Sequence, residues 1–252
     1  MPEVERVDEQ PAWLLHHRPF RDTSRILDLL SRDHGRVSVV ARGSRSAKSK
    51  LKGILRPFMP LSVSWVARSD LGTLTGAEIG GEPVSLGGDA LLSGYYLNEL
   101  LLNLMHRHDP QPEIFDAYST TVSTLAGSRD VAPQLRVFEL ELLRLLGYAL
   151  DFEHDYASSE VLEPRARYEY RPAHGATHVG ERQGPMVFSG AELLAIAAGR
   201  FDDGETLAAA NRLLRGVIAY HLDGKELKSR KVLREIRRAG KSAPRTTENS
   251  AK

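Results

Sequence analysis

The chain has 252 residues, 41% hydrophobic and 27% charged, with a formal net charge of +1; that is enough apolar material for a real core and for one large or two smaller domains. Cysteine is absent, which excludes disulfides, thiol nucleophiles and Cys-based zinc sites and fits a reducing compartment. The first ten residues carry Glu3, Glu5, Asp8 and Glu9, unlike a signal peptide or presequence, and no apolar run nears the ~20 residues a membrane helix needs; a cytoplasmic protein is expected.

Residues 11–80 read as β structure. Trp13-Leu14-Leu15-His16 is a short apolar start. Ile26–Leu30 suits helix or strand, and the turn-like Ser31-Arg32-Asp33-His34-Gly35 after it favours strand. Gly35–Gly43 and Leu61–Arg68 alternate in β fashion, and Ser69-Asp70 turns into a further strand, Leu71–Ile79. Five short strands in this span point to a small barrel of the OB type. Gly80, Gly81, Pro83, Gly87 and Gly88 form a linker-like stretch. A helix hydrophobic nearly all round follows from Asp89, ended by Asp109-Pro110, then helices over Glu113–Leu125 and Gln134–Gly147. Residues 151–188 are polar and irregular, with a strand at Tyr168–Tyr170 and a turn at His174-Gly175. Helices over Gly190–Ala198, Glu205–Leu222 and Glu226–Arg238 complete the pattern. The expected fold is α+β: an OB-fold barrel over 1–82, then a mainly helical domain over 83–240 with an irregular or β-hairpin insert at 152–188, and a disordered tail over 241–252.

Charge is segregated. Residues 18–56 carry +8, residues 57–224 carry −11 and residues 225–245 carry +7. Two basic segments around an acidic middle suggest a polyanionic partner. The strongest feature is Arg42-Gly43-Ser44-Arg45-Ser46-Ala47-Lys48-Ser49-Lys50-Leu51-Lys52-Gly53, cations separated by small residues directly after a strand. Such a loop can follow a phosphate backbone, and its affinity should fall steeply with salt. With Arg18, Arg21, Arg25 and Arg36 it forms the candidate DNA-binding set of the barrel; Lys225, Lys228 and Arg230 form a second. Phosphate contacts carry no base specificity. Phe20, Phe58 and Trp65 are candidate stacking platforms, although Trp65 also suits the core of an alternating strand. No phosphate-cradling loop, zincin or nucleophile-elbow motif occurs. The remaining chemistry-bearing patterns are His16-His17, His106-x-His108 beside Asp109, and His174-x-x-x-His178. A metal-dependent hydrolase would use the last two, but a pair of histidines needs further ligands. An RNA-binding OB protein would use the same basic loop. The favoured reading is a binding protein with no catalytic residues and no cofactor.

Seven segments in register resemble the RecO family of bacterial recombination mediators. They include Arg18-Pro19-Phe20-x-x-Thr23-Ser24, His34–Gly43, Leu51-Lys52-Gly53-x-Leu55-x-Pro57-Phe58 and Leu74-x-x-Ala77-Glu78. Gly94–Leu101, the Leu135–Tyr148 segment and Leu227-Lys228-Ser229-Arg230 complete the set. The resemblance implies binding of single- and double-stranded DNA, annealing of complementary strands, and partnership with RecR and single-stranded DNA-binding protein. It implies help in loading RecA during repair, in a nucleoid-associated setting. It also assigns the acidic, apolar-ended tail of single-stranded DNA-binding protein to a groove at Leu135, Arg136, Leu140 and Leu146. Many members of the family carry a four-cysteine zinc motif in the segment matching 152–188. This chain has no cysteine, so the segment is expected to hold itself through Tyr168, Tyr170 and the hairpin at His174-Gly175.

Overall fold

The computed structural model describes residues 4–148 and 150–232. Five strands, β1 (Glu5–Phe20), β2 (Ser24–Ser31), β3 (Gly35–Ala41), β4 (Pro60–Ala67) and β5 (Leu71–Ile79), close a barrel in the order β1-β2-β3-β5-β4. Only the β3–β5 closure is parallel. A short helix, α1 (Leu51–Ile54), lies between β3 and β4. This is the five-stranded OB architecture expected from the strand count.

Two barrel strands differ from their sequence pattern for identifiable reasons. β1 begins at Glu5, well before the apolar start at Trp13. Along Glu5–Gln10 only Val7 is buried, and backbone pairing with β4 (Val7↔Trp65, Gln10↔Val63) makes the strand. Hydrogen bonds to a neighbour leave no apolar alternation to read. β2 looks ambiguous because both its faces are covered. Leu27 and Leu29 fill the barrel, whereas Leu30 joins the helical core, so the run lacks the alternation of a half-exposed strand.

The rest of the chain is helical around a small sheet: α2 (Gly88–Leu104), α3 (Pro112–Gly127), α4 (Ala132–Leu145), β6 (Arg167–Arg171), β7 (Gly175–His178), β8 (Val187–Ser189), α5 (Gly190–Ala197) and α6 (Gly204–His221). The sheet order is β7-β6-β8. A Schellman turn ends α4, with Tyr148 N–H on Leu143 C=O at 3.1 Å and Gly147 N–H on Arg144 C=O at 3.0 Å. The expected tail over 241–252, and the expected terminal helix beyond its start at residues 228–232, lie outside the described residues.

The barrel and the helices share one core. Trp13, Leu15, Leu30 and Phe58 of the barrel pack with Leu97, Leu100, Tyr118 and Phe138. α2 is apolar nearly all round because it faces the barrel on one side and its sister helices on another. Gly94 of α2 meets Phe58, where a Cβ would come within 2.7 Å of the ring. Asn98 ties the two together by donating to the Leu15 carbonyl at 2.9 Å while accepting from the Tyr118 hydroxyl at 2.6 Å. The Trp13 indole N–H reaches the Ser119 hydroxyl at 2.8 Å.

The insert holds itself as expected at Tyr168 and Tyr170, both buried, and at the β6–β7 hairpin. Asp155 also ties the insert together from within. Only 6% exposed, its carboxylate accepts from Ala157 N–H at 2.8 Å, Ser158 N–H at 3.0 Å and His178 N–H at 2.7 Å. Burial opposes its ionisation, but these backbone donors outweigh it and hold the carboxyl below its usual range.

Candidate nucleic-acid interface

The β1–β2 turn and the β3–α1 loop meet at one end of the barrel. The loop's root is fixed. Ser44 is buried and donates to the Ala41 carbonyl at 2.9 Å, and Arg45 N–H bonds the Thr23 carbonyl at 2.8 Å. Successive turns follow, Ser46 N–H on Gly43 C=O at 3.0 Å and Ser49 N–H on Ser46 C=O at 3.1 Å. The segment is therefore a loop closed by a helical turn at α1, not a wholly irregular run. Its cationic tips point to solvent: Arg18, Arg21, Arg42, Arg45, Lys48, Lys50, Lys52 and Arg56 are all exposed.

Arg25 has a different place. It is half-buried beneath the loop, donating to Ser44 Oγ at 3.3 Å and the Leu55 carbonyl at 3.4 Å. It positions the loop. Burial, and then the nearby Arg45, lower its pKa. Burial, then Arg25 and His16, likewise lower that of His17. In both, burial is the larger cause and neighbouring positive charge adds to it. Arg36 stands apart from this cluster, at the far end of β3, where Ser31 pairs with Gly35 rather than Arg25 with Ala41.

Two of the three candidate stacking rings are unavailable to bases. Phe58 is 4% exposed and packs edge-on against Tyr95; Trp65 is 3% exposed inside the barrel with His34 against it. Phe20 is partly exposed beside the Arg21 guanidinium, 5.3 Å from the ring centroid.

Of the second basic segment, residues 225–232 are described; Lys225 and Arg230 line a groove in the helical part. The groove, of about 970 Å³, runs between α4, α6 and the Gly224–Arg230 segment. Leu135, Leu207, Ile218 and Leu222 line it, and Arg136, Arg215, Lys225 and Arg230 supply cations. Leu135 and Arg136 sit in the wall. Leu140 and Leu146 pack against the helical core instead. Arg136 is only 5% exposed: it donates to Glu139 Oε1 at 2.6 Å and to Asn211 Oδ1 at 2.7 Å. Tyr96 also donates to Glu139, and Arg230 donates to the Tyr96 hydroxyl at 2.7 Å. Burial, then Glu139, push the Tyr96 phenol upward, so it remains a donor. Lys225 bonds Asn103 Oδ1 at 2.6 Å, and Lys228 is exposed. The Glu99 carboxylate accepts from Lys228 and Ser229 N–H, each at 2.8 Å. Arg215 was missed from sequence, although Leu207, Asn211, Arg215, Ile218 and Leu222 recur at helical spacing along one stripe.

Among the described residues, no three His, Asp or Glu side chains gather closely enough to hold a metal ion. His174 packs against Tyr156 and His178 against Tyr168. No described helix is long and apolar enough to cross a membrane.

The family model described as Recombination protein O N terminal matches residues 6–81, and that described as Recombination protein O C terminal matches residues 87–231. The chain is 45% identical to a protein named DNA repair protein RecO from an Azoarcus species, over 92% of this chain and 97% of the relative. Proteins of the same name from Aromatoleum aromaticum and Methylococcus capsulatus are 43% and 42% identical, over 94% and 91% of this chain and 99% and 94% of theirs. With both halves matched and relatives spanning nearly the whole length, the chain belongs to the RecO family of DNA repair proteins.

Proposed function

We propose that the basic end of the barrel binds the phosphate backbone of single- and double-stranded DNA, and that it anneals complementary strands. The observation that carries this reading is the buried-root loop at 42–52, which presents Arg42, Arg45, Lys48, Lys50 and Lys52 to solvent without an acid among them. Annealing requires no bond to be made or broken by the protein, so no residue is assigned a catalytic role. Two strands on a positive surface repel each other less and meet at higher local concentration. Reversing Arg42, Arg45 and Lys48 to Glu removes most single-strand binding in a titration with labelled oligonucleotide across a salt series. Unchanged affinity in a folded variant would sink the assignment.

The groove would receive the acidic tail of single-stranded DNA-binding protein, its leucines taking the apolar end and Arg215 and Lys225 facing the acids. Together with RecR, this would place RecA on coated strands. Because Arg136 is already committed to Glu139, the informative variant is Arg215→Glu, which weakens tail-peptide binding in calorimetry. Equal titration curves for variant and parent would refute the groove assignment.

A further inference from the structure

We propose that Arg36 and Arg107 form a second phosphate-binding site, shared by the barrel and the helical part, at the barrel end opposite the basic loop. The proposal rests on the DNA-binding reading above and adds Arg107, a residue outside both basic segments.

The geometry begins at Gly35. The β2–β3 turn docks onto the segment between α2 and α3, and Gly35 sits at the contact with φ +64°. A Cβ there would lie 2.0 Å from the Asp109 carbonyl oxygen. His108 N–H bonds the Arg36 carbonyl at 3.1 Å, and Arg36 and Arg107 form a parallel β-bridge. The backbone thus holds two arginines side by side, one from each part of the molecule. Arg32 reinforces the same contact through a two-point ion pair to Asp116, at 3.2 and 2.9 Å.

The pair is not neutralised locally. Neither guanidinium has a hydrogen-bond or ion-pair partner among the described residues, and Arg36 Nε is buried without one. Burial and then Arg107 lower the Arg36 pKa, with Asp28 offsetting part of this. Asp28 is itself occupied, accepting from Ser38 Oγ at 2.6 Å and lying 3.5 Å from His16 Nδ1. Arg107 is exposed. Two unsatisfied guanidiniums on rigid backbone, one reaching solvent, suit a shared oxyanion.

Its source is argued from placement. Arg36 and Arg42 flank the body of β3, and the seven residues of Gly35–Ala41 span about 20 Å. At about 3.4 Å per phosphate along a strand of duplex, that is about six nucleotides. It falls within the roughly 4–16 nucleotides an OB fold covers. One strand can therefore touch both ends.

The test compares the parent, Arg107→Ala, Arg107→Lys, Arg36→Gln and the loop triple variant. Each is titrated with labelled single strands of about 4 and about 16 nucleotides. Arg107→Ala weakens the longer strand about three- to tenfold and lowers its salt slope by about 0.7. It weakens the shorter strand less, because fewer of its phosphates reach the second site, and Arg107→Lys restores most of the loss. Parent-like affinity and slope for Arg107→Ala on the longer strand, while the loop variant has lost binding, would overturn the second site and leave the loop standing. A parent that binds no DNA would remove both. Stabilisation of the parent by inorganic phosphate or an acidic peptide, lost in Arg107→Ala without any change in DNA binding, would overturn the assignment to DNA.

Discussion

At the scale of single residues, the network beneath the groove has the sharpest energetic consequences. Glu139 is fully buried, and its Oε1 takes bonds from Tyr96 and Arg136 while Oε2 has no partner among the described residues. A carboxylate so placed depends on its cations, Arg136 at 2.6 Å and the more distant Arg230 at 3.8 Å. Arg136→Glu would bury two facing carboxylates and lower stability by about 3–5 kcal/mol in urea titration. Loss of tail binding in that variant would therefore report on folding; Arg215, on the exposed rim, separates the two effects. Gly35 is another residue whose replacement the geometry forbids. An alanine there takes on a left-handed backbone and an overlap with Asp109 backbone that no side chain can relieve. Gly35→Ala lowers the urea midpoint by the equivalent of about 2 kcal/mol or more. A parent-like midpoint would mean that the turn can leave the α2–α3 segment freely.

Among the elements, the insert is instructive because it lacks the cysteines of the resemblance yet is well tied. Asp155 collects three backbone donors, and β8 passes directly into α5 through a capping box between Ser189 and Glu192. Asp155→Ala strands those donors and costs about 1–3 kcal/mol. Since the folded-state pKa of Asp155 is depressed, its contribution is present above the ordinary carboxylate range. It is lost as pH falls through the lower, folded value. The stability difference between parent and Asp155→Ala should accordingly be full at neutral pH and shrink below about pH 4. A pH-independent difference would assign the role of Asp155 to packing alone. Much of this element was legible: Tyr168, Tyr170 and the turn at Gly175 could be read from sequence. Asp155 could not, because the residues it caps are next to it in sequence only in part. His178, its third donor, comes from across the hairpin.

For the whole molecule, the decisive feature is that the barrel and the helices share one core through Trp13, Leu15, Leu30 and Phe58. Only two tryptophans occur, Trp13 and Trp65, both in the barrel. Their fluorescence and the far-UV helix signal should follow a single coincident transition in denaturant. Separate transitions would show that the junction contributes little. The same junction aligns Arg36 with Arg107, so the two proposed phosphate-binding ends stay at fixed separation.

The sequence by itself determined the strands of the barrel, the helices after it, the basic loop and the family, because each rests on local periodicity, turn chemistry or motif order. The tertiary structure alone decided which cations lie together. It divided the basic set between two ends of β3, moved Arg25 beneath the loop and Arg136 into an ion pair, and brought Arg107 and Arg215 into view. Charge counts along a chain register how many cations there are. Which face each one occupies, and whether a carboxylate already holds it, depends on contacts between residues far apart in sequence.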